Sequence, residues 1–163
     1  MLPEIHAYLT DFEELREQVK GLLEGLDPEA LDWRPIEGAG ELATNSLTAM
    51  GVHLVGSETY WMKEVISGKK IVWDRDAEFV TKGLSVPELQ AMIGTAGKVT
   101  VETLSALTAK QLEESRRWRD RSVTVRWCIL HVIEHYAQHL GHMQLTRQLW
   151  LAKLQNKNPP LLS

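Results

Sequence analysis

Apolar residues return at spacings of three and four along four long segments of this chain, and the stretches between them carry the helix breakers. The first segment runs from about Pro3 to Leu26. Leu9, Phe12, Leu15, Val19 and Leu22 or Leu23 form its stripe, Pro3 suits an early helical position, and Asp27-Pro28 ends it. A connection through Trp33, Pro35 and Gly38-Ala39-Gly40 follows, too rich in breakers for a long helix. The second segment begins near Asn45 or Ser46, both good N-caps, and runs to Ser67-Gly68. Leu47, Met50, Leu54, Trp61 and Val65 make one stripe, and Val52, Val55, Met62 and Ile66 widen it. Such a broad apolar surface implies either a central helix buried on both sides or a second partner such as another subunit. Gly51 and Gly56 weaken this helix but permit close approach of a neighbour.

The third segment starts at Ser85, with Val86-Pro87-Glu88 entering the first turn in capping-box order, and continues to about Leu107. The fourth starts near Ser122 or Thr124 and runs to about Lys153, leaving Asn158-Pro159-Pro160 as an exposed tail. No stretch reads as a sheet. The expected class is all-α: a four-helix bundle in a single domain spanning residues 1–163.

Composition adds little beyond an ordinary globular protein, with 44% apolar and 25% charged residues in 163. The net charge of −4 argues against a nucleic-acid partner. Arg116, Arg117, Arg119, Arg121 and Arg126 cluster, but among Glu113, Glu114 and Asp120, which reads as a solvated loop. The single cysteine, Cys128, permits no intrachain disulfide and fits a reducing compartment. The first twenty residues carry acids and no apolar h-region, and no apolar run approaches a membrane span, so the expected location is cytoplasmic.

The candidate chemistry lies in the fourth segment, where His131, His135, His139 and His142 crowd together. Imidazole is the commonest metal ligand, and residues four apart project from one helical face. At ~1.5 Å rise per residue, His131 and His139 stand about 12 Å apart along the axis, so three successive histidines cannot share an ion bound at ~2 Å. One pair can. His139 lines up with Cys128, Val132, Met143 and Trp150 in the apolar stripe, and His135 sits at its edge. His131 and His142 lie further round, as surface residues or supports behind the ligands. His6 and His53, the other two histidines, are the candidates for a further ligand. His53 lies mid-helix beside Met50 and Leu54, at a depth the bundle brings opposite the fourth helix, whereas His6 is near a terminus.

Other motifs fail on the sequence. HExxH is absent, and the inverted HxxEH of residues 131–135 needs a downstream acid, yet no Asp or Glu follows Glu134. No Glu has His three residues on, so the carboxylate-bridged di-iron pattern is missing, as are phosphate loops and GxSxG. Cys128 reads as a small core residue, and the six tryptophans as core or pocket wall.

Three segments, LDWRP (31–35), GVHLVGSETYW (51–61) and EHYAQHLGH (134–142), resemble the DinB-like superfamily of metal-binding four-helix bundles. That superfamily includes relatives of bacillithiol- and mycothiol-dependent S-transferases, and the likeness spans most of the chain. It implies one metal-binding histidine on the second helix and two, four apart, on the last long helix, which map onto His53, His135 and His139. Arg-Gly-Gln usually follows the final ligand, whereas Leu140-Gly141-His142 stands here, so a contact made by that Arg or Gln has His142 as its substitute.

The leading expectation is therefore a metal-dependent enzyme transferring a low-molecular-weight thiol to a small electrophile. Metal-assisted hydrolysis comes second within this class. A non-catalytic metal-binding or stress-response bundle and a metal-free interaction bundle are the alternatives. Zinc, nickel and iron(II) all accept imidazole. Glu58, Tyr60, Glu64 and Tyr136 are candidate polar groups of the pocket. The broad apolar face of the second helix and the resemblance together imply a homodimer.

Overall fold

The computed structural model describes residues 1–38 and 43–157. Helix α1 (Pro3–Leu23) opens with proline at its first position and buries Ile5, Tyr8, Phe12, Val19 and Leu23 along one face. It ends three residues before Leu26, where Gly25 takes a positive φ of 74° that glycine adopts without strain. Asp27 then caps the short α2 (Pro28–Asp32), accepting from the Ala30 amide at 2.8 Å.

Helix α3 (Leu47–Thr59) is capped by Ser46 and widens into a π-helical stretch over Tyr60–Ile66, so the second predicted segment is one continuous rod with an irregular end. Met62 and Ile66 are buried, and α3 packs against α2, α4, α5 and α7. Its broad apolar surface is thus covered largely within the chain itself. Helix α4 (Arg75–Val80) is a short addition capped by Asp74. Helix α5 (Val86–Ser105) has the predicted capping box and stops two residues before Leu107, and α6 (Ala109–Leu112) follows.

Residues 115–124 correct the expectation of a solvated loop and of no sheet. They form an antiparallel hairpin of β1 (Ser115–Trp118) and β2 (Arg121–Thr124), with Trp118 opposite Arg121 across a two-residue turn. Arginine and tryptophan hold it. The Arg121 guanidinium lies over the Trp118 and Trp127 rings at 4.5 and 4.6 Å from their centroids. The Arg116 guanidinium meets the Ile66 carbonyl at 3.3 Å, satisfying an acceptor at the end of the π-helical stretch.

Helix α7 (Val125–Lys157) completes the bundle and is ~50 Å long at 1.5 Å per residue. Thr124 caps it, accepting from the Trp127 amide at 3.1 Å. The four long helices α1, α3, α5 and α7 share one core, in which Phe12, Leu54, Ile93 and Val132 are fully buried. Among the described residues no helix is long and apolar enough to cross a membrane. The predicted tail at Asn158-Pro159-Pro160 and the Ala39-Gly40 part of the first connection lie outside the described residues.

Candidate metal centre

His53 on α3 and His135 and His139 on α7 converge. Their ring centroids are 4.9, 5.1 and 4.5 Å apart, and one nitrogen from each lies within 4.8 Å of the others. Helical geometry accounts for the α7 pair, since a spacing of four brings two side chains onto one face. His53 Nε2 stands 3.1 Å from His135 Nε2.

A residue absent from the sequence prediction fixes the third ring. The His53 Nδ1 atom lies 2.8 Å from Glu78 Oε2, and the other oxygen of that carboxylate accepts from Trp73 Nε1 at 2.5 Å. A carboxylate accepts at both oxygens, which puts the His53 proton on Nδ1 and leaves the Nε2 lone pair facing the α7 histidines. Glu78 is only 6% exposed and reaches α3 because Gly56 has no side chain: a Cβ there would overlap the carboxylate. This carboxylate–imidazole pair is the arrangement that orients histidine ligands in metal sites.

The α7 rings are held uncharged. Burial, reinforced by the neighbouring histidines, pushes His135 down to about 3 and His139 down to about 4. The Nδ1 atoms of both are buried without a hydrogen-bond partner within the protein. Three imidazoles converging from two helices make a donor set that can hold a divalent ion.

The triad borders two clefts. His53 and His135 border one of about 460 Å³, walled by Tyr60, Trp61, Trp73 and Trp118 and carrying Arg75 and Arg119. His139 borders the other, about 660 Å³, whose wall of Trp33, Ile36, Met50, Leu145 and Leu149 is largely apolar and, among the described residues, has no charged side chain. Both volumes fall in the range of small-molecule sites.

The remaining predicted residues are dispersed. Tyr60 lines the arginine-bearing cleft, stacked on Trp73 with centroids 4.4 Å apart. His142 lines the apolar cleft, its ring edge-on to His139 at 5.7 Å. His131 also faces the arginine-bearing cleft, stacked on Trp127 at 4.9 Å. Glu64 accepts from the Ile71 amide at 3.1 Å and lines neither cleft. Glu58 and Tyr136 belong instead to a separate buried network. The Glu58 carboxylate accepts from Arg16 Nη2 and Thr100 Oγ1, each at 2.5 Å, and from the Tyr136 hydroxyl at 2.7 Å. Burial and the Glu58 charge hold the Tyr136 hydroxyl well above its ordinary range, so it stays a donor. Trp73 is pocket wall as the sequence reading allowed, whereas the missed Glu78 sits in a stretch without helical periodicity, its approach signalled only by the small residue at Gly56.

Three solved structures share the fold. A conserved protein from Enterococcus faecalis matches at a TM-score of 0.77 and 13% identity, over 93% of this chain and 99% of that one. A DinB-like protein from Bacillus cereus gives 0.69 and 18%, over 88% and 90%. A DinB-like protein from Bacillus subtilis gives 0.64 and 20%, over 87% and 90%. No curated protein sequence matches the chain. The family model of mycothiol-S-transferase, however, matches residues 6–151, a span that includes all three converging histidines and Glu78. The chain has the fold of these DinB-like proteins and belongs to the mycothiol-S-transferase family.

Proposed function

We propose that this protein is a metal-dependent transferase that joins a low-molecular-weight thiol to a small electrophile. His53, His135 and His139 hold the ion, which is zinc, nickel or iron(II). One observation carries the reading. Three imidazoles from two helices converge, with Glu78 behind one of them, beside two ligand-sized clefts. Three neutral ligands leave coordination positions open and the ion's charge uncompensated, the condition of catalytic rather than structural sites. A bound divalent ion supplies a lowered thiol pKa at neutral pH.

The chain's own residues supply the rest. Glu78 fixes the His53 ring and its tautomer, and burial keeps His135 and His139 unprotonated. The clefts hold two reactants beside the triad. In the transfer the thiol proton passes to water and a sulfur–carbon bond forms. The electrophile's leaving group departs with its bonding pair. Family membership favours the thiol as nucleophile.

The test is consumption of mycothiol, bacillithiol or cysteine with chlorodinitrobenzene by metal-reconstituted protein, with His135→Ala as control. The expected result is metal-dependent thiol loss that the variant abolishes. Ester hydrolysis without thiol loss would replace transfer by hydrolysis. Bound metal with neither reaction would leave a non-catalytic metal-binding bundle.

A further inference from the structure

The two clefts flanking the histidines differ in charge as well as in polarity. Among the described residues the cleft on the His139 side has no charged lining residue. The cleft on the His53 and His135 side carries two arginines and, among the described residues, no acid. Among the described residues neither arginine forms an ion pair. Arg75 lies over the Phe79 ring at 5.1 Å and Arg119 over the Trp118 ring at 4.6 Å, leaving their outward N–H groups for a ligand. The acids next to them in sequence are turned to other tasks or away. Asp74 caps α4, and neither Asp76 nor Asp120 lines the cleft. Glu78, behind His53, is occupied by His53 and Trp73.

The same cleft has aromatic walls. Tyr60 and Trp73 stack with an interplanar angle of 25°, and Trp61 meets Trp118 at a tilt of 46° with centroids 5.6 Å apart. Aromatic faces accept planar apolar bodies, and guanidinium groups accept carboxylates through paired hydrogen bonds. Arg119 is placed by unusual backbone: it is the only described non-glycine residue with positive φ, 56°, in the turn of the hairpin. The hairpin that the sequence concealed thus builds one wall of this cleft.

We infer that the cleft bounded by His53, His135, Arg75 and Arg119 is the subsite for an organic anion with a flat apolar body. One reactant of the transferase is then a planar carboxylate or similar anion, and this assignment rests on that reading only in making the ligand a reactant.

The experiment compares naphthoate with its neutral methanol analogue by tryptophan fluorescence quenching on the metal-loaded protein. The variants are Arg75→Gln and Arg119→Asn, singly and together, asparagine tolerating left-handed backbone. The anion should bind about ten-fold more tightly than the neutral analogue, and the double variant should lose about that factor for the anion alone. Added salt should weaken the anion in the wild type only. Equal binding of the two probes, or naphthoate affinity unchanged in the double variant, overturns the subsite. Thiol consumption measured alongside separates the two readings. Arginine-dependent binding without thiol consumption supports the subsite and defeats the transferase. Thiol consumption with no arginine dependence of naphthoate binding does the reverse.

Discussion

Helices α3 and α7 face each other across two buried polar clusters that differ in one respect. In the first, Glu58 collects donors from Arg16, Thr100 and Tyr136, so that one carboxylate ties all four long helices together. Burial opposes the Arg16 charge, but the hydrogen bond and charge of Glu58 outweigh it and its pKa is raised. In the second cluster Glu78 satisfies His53 alone, and the Nδ1 atoms of His135 and His139 have no partner within the protein. The closed network lines neither cleft, whereas every histidine of the second cluster borders one. Satisfied polar groups fix helix positions; groups with spare lone pairs beside a cleft are where ligands bind.

Breaking the closed network should have the largest effect on stability. Arg16→Ala strands the Glu58 carboxylate in the core, and removing one member of a buried pair costs about 3–5 kcal/mol. Denaturant unfolding measures it, and a loss below about 1 kcal/mol would mean that the network holds little. The open cluster should respond in binding rather than in folding. Glu78→Gln should weaken metal affinity by about 10–100-fold in competition with a chromophoric chelator. Its stability should change far less than that of Arg16→Ala. Gly56→Ala, which drives a methyl into the same carboxylate, should lower affinity in the same direction. Undiminished affinity in Glu78→Gln would remove its role behind His53.

The smallest effect concerns pH. His135 and His139 lie at about 3 and about 4 against an ordinary 6.5, so the unfolded chain takes up more protons between these values than the folded one. Stability of the metal-free protein is therefore complete above 6.5 and falls as pH drops through that window. A Tm lower by a few degrees at pH of about 5.5 than at about 7.5 is expected. A Tm that stays level or rises on acidification would contradict the burial of these rings.

The sequence revealed whatever depended on helical period. A spacing of four on an amphipathic helix placed His135 and His139 together, and depth within the bundle chose His53 over His6, which the structure leaves exposed on α1. The Ser85–Glu88 capping box was equally readable, because capping is local. Partners set by tertiary contact were not. Glu78 lies in the short α4 and meets His53 across 25 residues, so no local pattern pairs them. Glu58 and Tyr136 read as polar groups of the pocket but belong to the buried network, because their partner Arg16 has the charge of a surface residue and gives no sign of being buried. The hairpin of β1 and β2 escaped for a similar reason. Its strands are four residues long, its turn is Arg119-Asp120 rather than a glycine pair, and its arginines pack on tryptophan rings instead of facing water.

Metal content of protein purified without a histidine tag, beside that of His53→Ala, tests the centre most directly. After reconstitution with zinc, nickel or iron(II), the wild type should hold about one ion per chain. The variant should hold almost none while its far-ultraviolet circular dichroism remains that of a helical bundle. Equal metal in the two proteins, or none in the wild type after reconstitution with each ion, would contradict a shared site between α3 and α7.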